Sequence, residues 1–172
     1  MQIAIISDVH ENLANLQKVI DYCQNQGIKV MIGCGDYGSE AVLETLSKFS
    51  GDFYGCLGNM DHFKNYFEDL RARYNNLVLW QDVGEKVFDN ISLAFVHKPE
   101  EAKALVHPPE EFDRAEYSYI FYGHTHKPWE EVIDGVHLVN PGNVSGNPYQ
   151  ATFAVFNTDS RQLELIIIDS LN

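Results

Sequence analysis

The chain has 172 residues, of which 45% are hydrophobic, so it can form one domain with a sizeable core but is short for two. Twelve Lys and Arg residues against 25 Asp and Glu residues give a formal net charge of −13, which argues against binding to the phosphate backbone of a nucleic acid. The same charge repels a phosphate substrate unless bound cations reverse the local field.

The first half of the chain alternates between strand and helix patterns. Short apolar runs that end in glycine or a polar turn predict buried strands at residues 2–7, 28–34 and 52–57. Apolar residues three or four apart predict a helix after each of these strands. The first of these helices begins at Leu13 and ends at Gly27, the second covers residues 41–49 and the third covers residues 63–74.

The second half of the chain is richer in strands, and residues 99–114 form a charged segment that is predicted to hold a short helix. Alternation of strands and helices in the first half, followed by consecutive strands in the second, predicts an α/β fold with mixed rather than wholly parallel sheets. Because no linker or repeat is visible, we predict a single domain over residues 1–172. The predicted strands are residues 77–80, 85–88, 91–96, 117–122, 129–133, 136–139, 151–156 and 163–168.

Three cysteines, Cys23, Cys34 and Cys56, lie in apolar or helical patterns, which favours buried thiols over a metal or redox role. Met1 leads directly into the first strand, leaving no room for a signal peptide. No apolar run approaches the roughly 20 residues of a membrane-spanning helix, so we expect no membrane association. Together these features predict a cytoplasmic protein.

Five short polar clusters interrupt the chain where apolar runs end. Because neighbouring strands of an α/β sheet deliver their loops to one edge, we expect these clusters to meet. Carboxylate, amide and imidazole donors together suit first-row divalent ions. The clusters are Asp8-Val9-His10, Gly35-Asp36, Gly58-Asn59-Met60-Asp61, His97 and Gly123-His124-Thr125-His126. Their candidate metal ligands are seven, namely Asp8, His10, Asp36, Asn59, His97, His124 and His126.

In this order the clusters resemble the signature of the calcineurin-like metallophosphoesterase superfamily, and the short chain with its Gly-Asn-Met-Asp segment resembles the small YfcE-type phosphodiesterase branch. The resemblance implies two mixed β-sheets packed face to face with flanking helices, an αββα sandwich. It also implies two divalent metal ions, with Mn²⁺ the leading candidate and Ni²⁺, Fe²⁺, Zn²⁺ or Co²⁺ as alternatives. One ion takes Asp8, His10, Asp36 and His126, and the other takes Asp36, Asn59, His97 and His124.

The activity implied by the resemblance is hydrolysis of a small phosphate ester, with a diester as the leading substrate. Two ions roughly 3.5–4 Å apart share a hydroxide that attacks phosphorus. The implied catalytic residues are Asn59, Asp61 and His97, and the implied substrate-binding residues are His10, Asn59 and Lys98. Two alternatives stay open: a phosphomonoesterase, and a non-catalytic phosphoesterase-like scaffold for protein interactions. Exposed aromatic residues leave a homo-oligomer open as well.

The chain departs from the family pattern at several positions. Met60 stands where other members carry a histidine near the leaving group, and His62 is either a substitute acid or a surface residue, with the surface interpretation favoured. Lys98 replaces a frequent glycine and is either a phosphate contact or a solvated lysine. Asn143 replaces the usual serine at the end of Asn140-Pro141-Gly142-Asn143.

Several other residues are predicted to have structural rather than catalytic roles. His107 and His137 are predicted to be non-catalytic, and the aromatic residues at 117–122 are predicted to be strand core rather than a base-stacking platform. The segments 98–114 and 142–149 are the predicted walls of the substrate pocket, which sequence alone does not define further.

Overall fold

The computed structural model describes residues 1–62, 69, 72–107 and 116–171, and within them eleven strands form two sheets. The strands are β1 (Gln2–Ile6), β2 (Val30–Cys34), β3 (Asp52–Cys56), β4 (Leu77–Trp80), β5 (Gly84–Phe88), β6 (Ile91–Phe95), β7 (Tyr119–Phe121), β8 (Trp129–Ile133), β9 (Val136–Asn140), β10 (Thr152–Asn157) and β11 (Gln162–Ile167). The α-helices are α1 (Leu13–Asn25), α2 (Glu40–Leu46) and α3 (Pro99–Val106), and Ile168–Ser170 forms a 3₁₀ turn.

The first sheet has six strands in the order β11-β10-β1-β2-β3-β4. Strands β1 to β4 pair in parallel, whereas β10 is antiparallel to both β1 and β11. Helices α1 and α2 cover its outer face, because each presents a stripe of apolar residues with helical spacing. In α1 that stripe is Leu16, Val19, Ile20 and Cys23, all buried.

The second sheet has five strands in the order β5-β6-β7-β9-β8. Strands β6, β7 and β9 run parallel, and the hairpin partners β5 and β8 run antiparallel to them at the two edges. Helix α3 packs on its outer face through Ala102, against Ala94, Ile120 and Leu138. The sheet is therefore mixed, like the first.

A second core lies between the two sheets and joins them. Inward side chains of the first sheet, such as Ile3 of β1, Ile32 of β2 and Phe156 of β10, pack with Phe95 and Phe121 of the facing sheet. The order of layers is thus helix, sheet, sheet, helix, which confirms the predicted αββα sandwich. The aromatic strand segment is also confirmed as core, since Tyr119 and Phe121 are buried.

The predicted elements agree with the observed ones to within about two residues at most ends. Helix α2 ends at Leu46, three residues early, because the N–H of Phe49 donates to the Leu46 carbonyl in a turn that still buries Phe49. The helix predicted at 63–74 falls largely outside the described residues, as does the second half of the 99–114 segment. In the described part of the chain, no helix combines the length and apolarity needed to cross a membrane.

Parallel pairing brings the polar clusters to one edge of the sandwich. Asp8, Asp36 and Asn59 follow β1, β2 and β3, which are adjacent and parallel, so their carboxyl ends meet. His97 and His124 follow β6 and β7, which are adjacent and parallel in the second sheet. Five separate loops therefore converge where the two sheets face each other.

Candidate metal centre

The loops that carry the candidate ligands are sharply bent at the ligands themselves. The backbone φ is positive at Asp8 (53°), His10 (42°), Asp36 (56°), His124 (68°) and His126 (59°). Non-glycine residues rarely adopt this conformation, and it costs of order 1–3 kcal/mol at each position. Hydrogen bonds hold two of these bends, because the N–H groups of Asp8 and His10 donate to the carbonyls of Gly35 and Asp36, each at 3.0 Å.

Two glycines allow these loops to approach closely. A Cβ on Gly58 would lie 2.1 Å from Asp36 Oδ1 and 2.4 Å from the Asp36 nitrogen. A Cβ on Gly123 would lie 1.8 Å from Ser7 Oγ and 2.7 Å from Asp8 Oδ2. The absence of a side chain at both positions is thus what lets the loops after β1, β2, β3 and β7 share one pocket.

One group of donors forms around His126. Its Nε2 lies 3.3 Å from Asp8 Oδ1 and 3.1 Å from His10 Nε2, and the rings of the two histidines are 4.9 Å apart between centroids. Asp8 is fully buried, and the backbone N–H of His124 donates to its carboxylate. We call Asp8, His10 and His126 the first donor group.

A neighbouring group forms around His97. Its Nε2 lies 3.3 Å from Asp36 Oδ2, 2.9 Å from Asn59 Oδ1 and 3.3 Å from His124 Nδ1. We call Asp36, Asn59, His97 and His124 the second donor group. Asp36 Oδ2 also lies 3.7 Å from His10 Nε2, so this one oxygen faces both groups. Asp8 also lies close to Asp36, as the ligand set implied by the resemblance requires, and to His97, which the resemblance assigned to the other ion.

The donor set fits metal cations because lone pairs converge in it. The Nδ1–H of His97 donates to the Cys34 carbonyl at 2.8 Å, which leaves Nε2 as an acceptor that faces a carboxylate, an amide oxygen and a second imidazole nitrogen. In the same way the Nδ1–H of His126 donates to the Asn147 carbonyl at 2.6 Å, and its Nε2 faces Asp8 and His10. Groups of acceptors at such distances are stabilised by a cation between them.

The protonation equilibria follow the same electrostatics. Burial acts to lower the pKa of His97, but the hydrogen bond and charge of Asp36 outweigh it and raise this pKa above its usual value. Burial acts to raise the pKa of Asp36, and the hydrogen bonds from His97 and from the Met60 N–H reverse that effect and lower it. The hydrogen bond with Asp8 raises the pKa of His126. All three pKa shifts favour an aspartate anion beside a protonated histidine.

Comparison with known proteins agrees with this geometry. The family model described as the calcineurin-like phosphoesterase superfamily domain matches residues 1–161. The chain belongs to this superfamily. The predicted family is therefore confirmed, and with it the prediction that the protein belongs to the hydrolases. The family is one of metallophosphoesterases, in keeping with the two donor groups.

Three relatives illustrate the similarity. A phosphodiesterase of Methanocaldococcus jannaschii is 23% identical over 98% of this chain and 100% of its own length. A solved structure described as a novel archaeal phosphodiesterase has a TM-score of 0.80 at 23% identity, covering 97% of this chain and 99% of that one. The phosphoesterase YfcE of E. coli has a TM-score of 0.69 at 18% identity, covering 98% and 100%. At these identities the solved structures establish a shared fold.

Asp61 lies behind the ligands rather than among them. It is 3% exposed, and its Oδ2 accepts hydrogen bonds from the N–H groups of Asp36 and Gly58 at 2.9 and 2.7 Å. Its Oδ1 accepts from the Gly38 N–H at 2.9 Å. Burial raises the pKa of Asp61, and these N–H donors oppose the rise. The carboxylate thus ties the loop after β2 to the loop after β3.

The remaining predicted site residues lie at the margin. Asn59 and His124 are exposed and His10 is 28% exposed, so neutral donors form the open side of the pocket while Asp8 and Asp36 lie at its base. Lys98 is half-buried at the start of α3, where its N–H donates to Glu101 Oε2.

The other histidines have structural surroundings. His62 is exposed, as its surface interpretation predicts. His107 pairs with Asp134 at 3.3 Å, and His137 pairs with Glu130 at 3.0 Å while it stacks on Tyr119. These contacts agree with the prediction that His107 and His137 are non-catalytic.

Sequence reasoning missed two asparagines that support the first donor group. The Asn147 carbonyl accepts the hydrogen bond from His126, and the buried side chain of Asn143 contacts both residues. The signal at Asn143 was its departure from serine at the end of the Asn-Pro-Gly-Asn segment. Asn147 carries no such signal, because a backbone carbonyl is present at every position.

Proposed function

We propose that this protein is a metal-dependent phosphodiesterase that hydrolyses a small phosphate ester at a dinuclear centre. The observation that carries this proposal is the convergence of seven donors from five loops, with Asp36 Oδ2 facing both His10 and His97. A site with mixed oxygen and imidazole donors and one shared carboxylate suits a pair of divalent ions. The name of the M. jannaschii relative supports a diester as substrate.

The two donor groups divide between the ions. Asp8, His10 and His126 would hold one, Asn59, His97 and His124 would hold the other, and Asp36 would serve both. Mn²⁺ is our first choice of ion, because hard oxygen donors are mixed with imidazoles and no thiolate faces the pocket in the part of the chain described. When bound, such ions supply Lewis acidity, which lowers the pKa of water and neutralises charge on phosphoryl oxygens.

The residues of the chain prepare this pocket for an anionic substrate. Buried Asp8 and Asp36 lie beside histidines, so the two carboxylates among the seven candidate ligands are at the base of the pocket. Exposed Asn59 and His124 are the amide and imidazole donors at the open side, where a phosphate ester would enter. We assign substrate contacts to His10 and Asn59 at this side, and to Lys98, which follows His97 in the chain.

We assign catalytic roles to Asn59 and His97, and a positioning role to Asp61. The three backbone N–H groups bound to the Asp61 carboxylate include that of Asp36, whose strained backbone it therefore stabilises. The Met60 N–H then holds Asp36 Oδ1 at 2.8 Å, which leaves Oδ2 directed at the two histidines. Asp61 acts through Asp36 in this arrangement.

We also propose that residues 1–172 act as a single domain in a reducing compartment such as the cytoplasm. The three cysteines are free and buried, in keeping with thiols that serve the core.

The test is an assay of the purified protein with a chromogenic phosphodiester and a chromogenic monoester, each with added Mn²⁺, Ni²⁺, Fe²⁺, Zn²⁺ or Co²⁺. We expect turnover of the diester to exceed that of the monoester and to require the ion. Asp36→Asn removes the carboxylate that would serve both ions and should lower kcat/KM by about 10²–10³-fold, as losses of transition-state charge stabilisation do.

The matched control is Asp134→Asn. Asp134 also has a positive φ, of 49°, but it lies in an exposed turn where it pairs with His107. This variant should keep wild-type activity. A wild-type protein that binds ions and turns over neither ester would refute the enzyme and favour the non-catalytic scaffold, whereas preference for the monoester would correct the substrate class.

A further inference from the structure

We propose that Asn143 is a positioning residue for His126, and that it sets which nitrogen of this imidazole faces the first donor group. This role rests on the proposed function, since it concerns the residues that would hold one of the two ions. Asn143 lies outside the seven predicted ligands and is fully buried. A buried carboxamide requires partners for all its polar atoms, and the partners of Asn143 lead to His126 by two routes.

The first route runs through the backbone of His126. Asn143 Nδ2 donates to the His126 carbonyl at 3.0 Å, and it also reaches the Gln150 carbonyl at 3.4 Å. The backbone of His126 is therefore tied to the loop that begins at Asn143. This bond fixes the position from which the imidazole extends.

The second route runs through the loop at residues 143–147. Asn143 Oδ1 accepts hydrogen bonds from the Gly146 N–H at 2.6 Å, the Asn147 N–H at 3.2 Å and the Ser145 hydroxyl at 2.7 Å. These bonds close the loop into a compact turn. The turn presents the Asn147 carbonyl to the His126 ring, whose Nδ1–H donates to it at 2.6 Å.

The same loop is fixed to the neighbouring ligand loop. The N–H groups of Val144 and Ser145 donate to the carbonyls of Ser7 and Asp8, each at 3.0 Å. The side chain of Asn12 donates to the Ser145 carbonyl at 2.9 Å. The Asn147 carbonyl consequently has a fixed position relative to Asp8, the carboxylate that His126 Nε2 faces.

The consequence is control of the His126 tautomer. With Nδ1 committed to donate to Asn147, Nε2 presents its lone pair to Asp8 and His10, where an ion ligand must present it. The imidazole is 19% exposed, so without the Asn147 carbonyl it could rotate or take the other tautomer in water. Asn143 thus prepares the ligand before any ion arrives.

The test compares Asn143→Ala and Asn143→Ser with the wild type. A serine hydroxyl offers one donor and is too short to replace both arms of the carboxamide. We expect the Mn²⁺ affinity of one site, measured by calorimetric titration, to fall about 10–100-fold in both variants while the other site is unchanged. In ¹⁵N-edited spectra of the ion-free protein, recorded at a pH where His126 is neutral, the imidazole should be the Nδ1–H tautomer in the wild type and a mixture in the variants.

The matched control is Asn76→Ala. The Asn76 side chain likewise closes a loop, donating to the Phe49 and Gly51 carbonyls at 3.1 and 3.2 Å, but it lies at the start of β4, at the opposite end of the strands from the donor groups. Its removal should lower stability and leave Mn²⁺ affinity and the His126 spectrum as in the wild type.

Each outcome decides the proposal. Folded Asn143 variants with wild-type Mn²⁺ affinities and a wild-type His126 tautomer would overturn it. If both variants fail to fold, the wild-type spectrum decides, since an Nε2–H tautomer of His126 is incompatible with the assigned role. If the wild type binds none of Mn²⁺, Ni²⁺, Fe²⁺, Zn²⁺ and Co²⁺, the dinuclear centre is refuted, and the His126 tautomer in the variants alone judges the role of Asn143.

Discussion

At the scale of single residues, the pocket depends on side chains that are absent as much as on those that are present. Gly58 lies against the carboxylate of Asp36, and Gly123 lies against Ser7 and Asp8. Neither glycine has a positive φ, so steric contact rather than backbone conformation requires them. Their place beside two candidate ligands couples packing to ion binding.

Gly58→Ala tests this coupling. The new methyl group would overlap Asp36 Oδ1, so we expect a loss of about 1–3 kcal/mol in stability, as overpacking costs, together with weaker Mn²⁺ binding. The measurements are urea denaturation and ion titration. The control is Gly27→Ala, where φ is +70° but the space around the Cβ is open. It should lose stability through backbone strain and bind ions normally; equal ion binding by both variants would contradict the prediction.

Asp61→Asn separates a positioning role from direct catalysis. The amide keeps one acceptor oxygen and turns an NH₂ group towards a backbone N–H, which should cost about 1–3 kcal/mol of stability. Because all seven candidate ligands are retained, we expect weaker ion binding and recovery of kcat at saturating Mn²⁺. A kcat that stays low at saturating Mn²⁺ would support the catalytic role implied by the family resemblance.

At the scale of elements, periodicity was a reliable guide wherever an element has one buried face. The stripe of α1 was predicted from its spacing as Leu13, Leu16, Val19, Ile20 and Cys23; the last four are buried, whereas Leu13 in the first turn is exposed. Strands β1 and β2 read as continuous apolar runs because both of their faces are covered, by helices on one side and the second sheet on the other. The spacing of apolar residues therefore reported burial directly.

Two leucines of α1 give a matched test of that burial. Leu16 is fully buried in the first core, whereas Leu13 at the start of the helix is 39% exposed. We expect Leu16→Ala to lower the free energy of unfolding by about 2–5 kcal/mol, because it leaves a cavity, and Leu13→Ala to lower it by much less. Urea denaturation measures both. Similar losses would show that α1 is not anchored by this stripe.

Elements whose ends depend on other elements were predicted less well. The strand predicted at 117–122 is only three residues long, Tyr119–Phe121, and α2 gives way to a turn after Leu46. The apolar pattern continues past both ends, because Tyr122 and Phe49 are buried without belonging to a strand or helix. In the middle of a strand or helix the buried residues are also the ones with regular backbone hydrogen bonds. At its ends a residue can be buried without those hydrogen bonds.

At the scale of the whole molecule, ions that bind the folded pocket and not the unfolded chain must stabilise the fold. At a concentration about 100 times the dissociation constant, one such ion contributes about 2.7 kcal/mol. For a chain of this size we therefore expect Mn²⁺ to raise Tm by roughly 5–10 °C, and a chelator to reverse it. Asp36→Asn should lose most of the shift and Asp134→Asn should keep it. A Tm independent of Mn²⁺ in the wild type would argue against the centre.

The buried thiols make a second prediction for the whole fold. Burial raises the pKa of Cys23 from 9.0 to about 12, so folding favours the neutral thiol. Its contribution to stability is complete below about pH 9, where the unfolded thiol is also neutral, and is lost as pH rises towards about 12. Alkaline denaturation should be less steep in Cys23→Ala, by up to about 1.4 kcal/mol per pH unit in that range. Denaturation at a series of pH values measures this, and identical slopes would contradict it.

The sequence by itself determined which chemistry this protein carries. The seven donors, their residue types and their order along the chain predicted the superfamily, and alternation of strand and helix patterns predicted mixed sheets. Ligand type depends on the side chain alone, and chain order is preserved on folding, so both can be read without coordinates. The stacking of one sheet on the other came only from the resemblance to a family.

The resemblance implied how the donors divide between two ions, but only the tertiary structure decided which of their atoms face one another. It brought Asp36 Oδ2 between His10 and His97, placed Asp8 near both groups, and set Asp61 behind Asp36 instead of in the open pocket. It also supplied Asn143 and the Asn147 carbonyl to His126. These relations join residues as far apart in the chain as Asp8 and His126 through contacts of fixed direction. The directions of these contacts depend on how the loops are placed relative to one another in the folded protein. They cannot be predicted from any local pattern in the sequence.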